Sequence, residues 1–189
     1  RHGRPVPPPV MMQRVFLLGG ALVFASFWIE TGWSAFAGKM IRAAVVAFQF
    51  VAFARIYRRP QNPAWAAQAL WWSYWFTATG LFLAALLPAY EIAALHVTYI
   101  GGFGLMMLVM GFRVLSSHGG VERWWLQARW LPAWIGSAAV LASGVRVAAH
   151  FAPQYYLALL AVAAGVWLTA LLFWGMRLLP LVAPGRRPS

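Results

Sequence analysis

The chain has 189 residues, of which 62% are hydrophobic and 10% are charged. Soluble domains average about 45–50% apolar and about 25% charged residues, so too few polar residues remain here to cover a soluble surface. The chain has no cysteine, which excludes a disulfide scaffold, thiolate metal sites, iron–sulfur clusters and covalently attached c-type haem. Its net charge of +12 is scattered among apolar runs, which excludes a nucleic-acid-binding stripe.

Several apolar runs approach the ~20 residues that cross a bilayer, and they are bounded by Pro, Gly or charged residues. They predict helices at 14–31, 36–57, 65–88, 91–115, 131–150 and 155–179. The predicted fold is therefore all-α, a polytopic transmembrane bundle of about six spans. We expect residues 1–13 to form an N-terminal cytoplasmic segment, 14–179 the six-helix transmembrane domain and 180–189 a cytoplasmic tail.

The basic residues indicate how the predicted spans are oriented. Twelve of them fall on one predicted side of the membrane and three on the other. The larger group is Arg1, Arg4, Arg14, Arg55, Arg58, Arg59, Arg113, Arg123, Arg129, Arg177, Arg186 and Arg187, and the smaller is Lys39, Arg42 and Arg146. Since cytoplasmic loops are enriched in Lys and Arg, this asymmetry predicts that both termini are cytoplasmic and that the number of spans is even.

Ionisable groups within the spans are candidates for function, because each costs several kcal/mol in hydrocarbon unless it is paired or hydrated. His96 lies deepest. Imidazole is a common ligand of haem iron and copper, but a structural, hydrogen-bonded histidine is the alternative. Residues at helical spacing place His96 on one stripe of its helix, close to Gly101, Gly102 and Gly104. The stripe is His96, Tyr99, Phe103, Met106, Met110 and Arg113.

Two further histidines are candidate ligands at different positions. His118 is 22 residues after His96, which in a helix separates the two by ~33 Å, so they cannot share one metal within a subunit. With Arg113 one helical turn before it, His118 marks either an anion or haem-propionate site or a solvated loop. His150 ends the fifth predicted helix on the same side of the membrane as His96, so those two imidazoles could meet.

Catalytic motifs are absent from the sequence. The whole chain has three acidic residues, Glu30, Glu91 and Glu122, too few for paired catalytic carboxylates or for the proton relay of a typical pump. No phosphate-binding glycine loop or nucleophile elbow is present. Whether the protein is an enzyme stays open.

The segment HVTYIGGFGLMMLVMGFRVLSSHGG at 96–120 resembles the signature of the NnrS family, which has a His-Thr-Gly-Gly run, an Arg near the helix end and a second His. The last helix, VWLTALLFWGMRLLPLVAPGRR, resembles the C-terminal segment of the same family, and Arg146 falls where the family tends to have an Arg. Family members are about twice as long, so the resemblance implies a C-terminal half. The motif departs from the family at Gly119, where the usual residue is Thr.

The resemblance implies a multi-pass protein of the bacterial inner membrane that binds haem and copper and protects the cell from nitric oxide and its by-products. It implies His96 and His118 as haem or metal ligands at two separate sites and Arg113 as a residue that binds a propionate or another anion. The lipid bilayer, haem and nitric oxide are then the expected partners, and homo-oligomerisation is left open.

Two other hypotheses compete with the first. In one, the chain is half of an anion or small-molecule transporter without a metal cofactor, with the glycine-rich fourth helix as a hinge. In the other, it is a membrane scaffold in which His and Arg side chains form structural hydrogen bonds across helices.

Overall fold

The structure is a computed structural model that describes residues 10–62, 64–118 and 130–182. These residues form six helices and no strand. We number them α1 (Val10–Gly32), α2 (Ala35–Gln49, extended in π-helical geometry over Phe50–Ala54), α3 (Trp65–Leu86), α4, α5 (Trp130–Phe151) and α6 (Tyr156–Val182). Helix α4 is continuous but has three parts: an α-helical start at Glu91–His96, a π-helical middle at Val97–Gly104 and an α-helical end at Leu105–His118.

The chain divides after Arg55 into two compact units. The predicted bounds of the transmembrane domain, 14–179, stay a prediction. Arg55 ends the π-helical turn of α2 with φ of 49°, in the left-handed region that residues with a side chain seldom adopt. The helix of the first unit therefore stops sharply at that residue.

The first unit is a hairpin of α1 and α2. Ser34 caps α2, because its side chain accepts a hydrogen bond from the backbone N–H of Ala37. Gly38 faces α1 so closely that a Cβ on it would lie 2.6 Å from the backbone nitrogen of Glu30. A glycine at this position therefore allows the two backbones to touch.

An ion pair also joins the two helices of the hairpin. The Arg42 guanidinium on α2 pairs with the Glu30 carboxylate on α1, and Lys39 Nζ lies 4.0 Å from the same carboxylate. Arg42 Nε also donates to the buried Ser26 hydroxyl at 3.3 Å, and its guanidinium carbon lies 3.6 Å from the Phe27 ring centroid. These contacts neutralise Arg42 within the hairpin.

The second unit contains α3, α4, α5 and α6, and α4 contacts the other three helices. Its core is built from small and aliphatic side chains, including Ala69, Ala139, Leu105 and Val109, with Trp167 of α6 packed against them. Small side chains allow close packing of helices where lipid supplies no hydrophobic driving force.

Glycines allow α3 and α4 to approach most closely. A Cβ on Gly80 of α3 would lie 2.8 Å from both the Ala94 carbonyl oxygen and the Thr98 backbone nitrogen of α4. A Cβ on Gly102 of α4 would lie 3.0 Å from the Thr77 backbone nitrogen of α3. The two backbones are therefore in contact along this crossing.

The predicted all-α fold is confirmed, with small shifts in helix ends. Helix α1 begins at Val10, within the predicted N-terminal segment, and α4 continues to His118. Five of the described helices are long and apolar enough to cross a membrane. Helix α3, with 22 residues, has the length of a sixth span but is not among these five.

The contact at Gly80 leads to a stability prediction. Gly80→Ala should lower the free energy of unfolding by about 1–3 kcal/mol, because its methyl group meets backbone atoms that cannot rotate away. Gly144→Ala in α5 is the matched control, since no atom lies within 4 Å of its added Cβ. Unfolding in detergent, followed by tryptophan fluorescence, measures both. Equal stability of the two variants would show that α3 and α4 are not packed as described.

Candidate functional site

The α-helical start of α4 places His96 at the beginning of the π-helical segment, where the side chain is half-buried. Its Nδ1 lies 2.6 Å from the Ile92 carbonyl oxygen, and its Nε2 lies 3.1 Å from Arg146 Nε. A carbonyl oxygen only accepts and an arginine N–H only donates. His96 is therefore a neutral imidazole that carries its proton on Nδ1 and a lone pair on Nε2.

Arg146 of α5 joins three helices. Besides its bond to His96 on α4, its Nη2 donates to the Tyr156 hydroxyl at the start of α6 at 3.1 Å. The guanidinium carbon lies 5.3 Å from the Tyr156 ring centroid, and the whole residue is only 8% exposed. We call His96, Arg146 and Tyr156 the polar triad.

Hydroxyl groups continue this polar region into the packed crossing of α3, α4 and α5. Thr77 donates to the Ser73 carbonyl at 2.8 Å, and Ser143 donates to the Ala139 carbonyl at 2.8 Å. Thr98, also fully buried, has no hydrogen-bond partner for its hydroxyl. The interior of the second unit is thus polar where its glycines bring the helices together.

The structure brings together only part of the predicted site. His96 and Arg146 are in contact, whereas His150, the predicted neighbour of His96, is exposed and packs its ring 5.2 Å from that of Tyr90. Arg113 is exposed on the last part of α4. His118 is the last residue of α4, and its side chain lies outside the part of the chain that the structure describes.

The stripe predicted beside His96 lies mostly on the outer surface of the bundle. Tyr99 is 57% exposed and Met110 is 43% exposed. The glycines point elsewhere: Gly101 faces Ser143 and Phe76, and Gly104 faces Trp167. The stripe is thus largely exposed within the second unit, and the glycines pack against neighbouring helices.

A cavity of about 670 Å³ lies in the second unit between α3, α4 and α5. It offers no imidazole, since none of its lining residues is a histidine. The lining residues are Trp65, Gln68, Ala69, Trp72, Phe76, Leu105, Ala133, Gly136, Ser137, Val140 and Leu141.

The chemistry of His96 suits a metal ligand in one respect. Histidines that bind metals usually donate their other ring N–H to a carbonyl or carboxylate, which fixes the tautomer and directs the lone pair. In His96, the Nδ1–H donates to the Ile92 carbonyl, which fixes the tautomer and leaves Nε2 as the basic nitrogen. Iron would replace the Arg146 N–H at Nε2. Copper has less support, because no three His, Cys, Asp or Glu side chains converge within the described ranges.

The sequence did not predict that Tyr156 contacts Arg146 or that the Thr98 hydroxyl is buried without a hydrogen-bond partner. Tyr156 is the first residue of a helix, a position where an aromatic side chain is expected simply to anchor at the membrane interface. Its hydroxyl meets Arg146 because of how α5 and α6 pack, and no local pattern in the sequence reports that packing.

Five described helices are able to cross a membrane, and in the second unit a polar triad joins α4, α5 and α6; these features define a multi-pass membrane protein. A family model described as NnrS protein matches residues 3–186, so the chain belongs to the NnrS family. The match covers nearly the whole chain, well beyond the two segments that carried the resemblance. No curated protein and no solved structure matches the chain.

The unpartnered hydroxyl of Thr98 leads to a prediction. Thr98→Val should raise the free energy of unfolding by about 1 kcal/mol, because it replaces a buried, unsatisfied polar group with an apolar group of the same shape. Thr77→Val is the control and should lower it by about 1 kcal/mol, because that hydroxyl donates to Ser73. Unfolding in detergent measures both. A loss of stability in Thr98→Val would mean that this hydroxyl has a partner in the membrane.

Proposed function

We propose that this NnrS-family membrane protein binds haem through His96 and contributes to the response of the bacterial cell to nitric oxide and nitrosative stress. Family membership supports the biological role. The observation that carries the site is the neutral imidazole of His96, held by the Ile92 carbonyl with Nε2 as its basic nitrogen. Haem iron, when bound, supplies an open coordination position that takes nitric oxide.

The other residues of the polar triad have defined tasks in this proposal. Arg146 donates to Nε2, which keeps the imidazole in one orientation. If Nε2 bound iron, the Arg146 guanidinium would lie beside that ligand and would be able to hold a carboxylate in a bidentate way. Tyr156 holds the other end of that guanidinium through its hydroxyl. His118 and Arg113 stay predicted residues of a second site, and copper stays an expectation of the family resemblance.

The assignment of His96 is tested by absorption spectra of the purified protein, oxidised and reduced with dithionite. The wild-type protein should show a Soret band that shifts on reduction and again with nitric oxide. His96→Ala should lose the band and its haem content, because the iron loses its protein ligand. His150→Ala is the control and should keep both, since its ring packs against Tyr90.

Two results would contradict the proposal. A His96→Ala protein with unchanged haem content would show that another residue binds the iron. A wild-type protein without a Soret band would contradict haem binding altogether. Survival of cells challenged with a nitric oxide donor, with the wild-type or the His96→Ala protein as the sole copy, tests the biological role separately.

We also propose that the protein lies in the bacterial inner membrane with α3 as a sixth span and both termini in the cytoplasm. Positively charged residues support this orientation, since Arg55, Arg58 and Arg59 cluster between α2 and α3. The length of α3, 22 residues, is that of a span.

The absence of cysteine makes this orientation directly testable. Gly32→Cys, Arg59→Cys and Tyr90→Cys each place one thiol at an exposed position next to a helix end. A membrane-impermeant maleimide should label the Gly32 and Tyr90 variants in intact spheroplasts and the Arg59 variant only after lysis. Labelling of the Tyr90 and Arg59 variants from the same side would show that α3 does not cross the membrane.

A further inference from the structure

Arg146 carries a positive charge that no described side chain neutralises. It is 8% exposed, and both of its hydrogen-bond partners, His96 and Tyr156, are neutral acceptors. No carboxylate in the described residues forms an ion pair with it. A buried charge without an opposite charge is costly, by several kcal/mol in a membrane.

Another largely buried arginine of the chain, Arg42, has an acidic partner. Arg42 in the first unit is also largely buried, and it is paired with the Glu30 carboxylate. The chain contains only three acidic residues, of which Glu30 is thus already paired and Glu122 lies outside the described ranges. Glu91, the remaining acid, has its own contacts, and Arg146 is not among them.

The guanidinium of Arg146 also has donors to spare. Arginine carries five N–H donors in a planar fork, and His96 and Tyr156 occupy one on Nε and one on Nη2. The Tyr156 ring and hydroxyl fix the plane of the fork. The other N–H groups are therefore held in one orientation, and a planar fork of this kind binds carboxylate or phosphate oxygens in pairs.

Arg146 lies near an end of the second unit. It precedes the last residue of α5, Phe151, by five positions, a rise of ~7.5 Å. Tyr156 is the first residue of α6. A charged group at this depth is within reach of a phospholipid headgroup and of a soluble anion that enters from the aqueous phase.

We propose that Arg146 and Tyr156 form an oxyanion-binding site, in which the free N–H groups of the guanidinium bind a phosphate group and supply the missing opposite charge. The phosphate belongs either to an anionic phospholipid or to a soluble anion. The site does not depend on haem, since Arg146 is positioned by Tyr156 as well as by His96.

Two measurements on the full chain separate the two sources. In the first, native mass spectrometry compares how many phosphatidylglycerol and how many phosphatidylcholine molecules stay bound to the protein. In the second, sodium phosphate is titrated at constant ionic strength against protein in phosphatidylcholine nanodiscs, and thermal stability is followed by tryptophan fluorescence. Retention in the first assay indicates a lipid, and stabilisation in the second indicates a soluble anion. Arg146→Gln should weaken the binding of phosphatidylglycerol or of phosphate, whichever the wild-type protein shows, about tenfold or more.

Arg42→Gln is the matched control, because it removes the same charge from an arginine that already has a carboxylate partner. It should bind the probe as the wild-type protein does. The proposal is wrong if neither probe binds, if Arg146→Gln binds as well as the wild type, or if Arg42→Gln loses as much binding as Arg146→Gln.

A conservative variant keeps the test valid if Arg146→Gln does not fold. Arg146→Lys retains the charge but cannot bind two oxygens in one plane, so binding should fall several-fold, and unchanged binding would contradict the proposal. Neither readout uses the Soret band. Oxyanion binding in a protein without haem would therefore support this site while contradicting the proposed function.

Discussion

The backbones of α3 and α4 touch at Gly80 and Gly102, and the arrangement of the second unit depends on that contact. Helices in lipid gain little from burying apolar side chains, so close packing and hydrogen bonds must hold them together. The crossing meets this requirement with glycine, alanine and short hydroxyl side chains. It also fixes α4 between α3 and α5, which brings His96 to Arg146.

The sequence predicted the fold better than it predicted the site. Long apolar runs with prolines near their ends identify helices directly, because the bilayer imposes both their length and their polarity. The π-helical segment at Val97–Gly104, which packs against α3, was not predicted, because no pattern in the sequence reports its wider turn. The division into two units after Arg55 depends on which helices touch, and no local pattern in the sequence reports those contacts.

Single residues show why the site was harder. His96 stood out as an ionisable group inside an apolar run, and its position in the sequence was enough to identify it. Its contact with Arg146 could not be predicted from the sequence. Periodicity relates residues within one helix, whereas the polar triad takes one residue from each of three helices. His150 was an equally reasonable partner until the packing of α5 turned Arg146, one helical turn earlier, toward α4.

The hairpin of α1 and α2 has a consequence for how the protein enters the membrane. Its ion pair, serine cap and glycine contact all lie within the first 55 residues, so they can form before the second unit has been synthesised. Insertion as a preformed helical pair would carry Arg42 into the membrane with its charge already balanced by Glu30. The translocation machinery would then handle one two-helix segment in which Arg42 is already paired, instead of an isolated α2 whose Arg42 has no acidic partner.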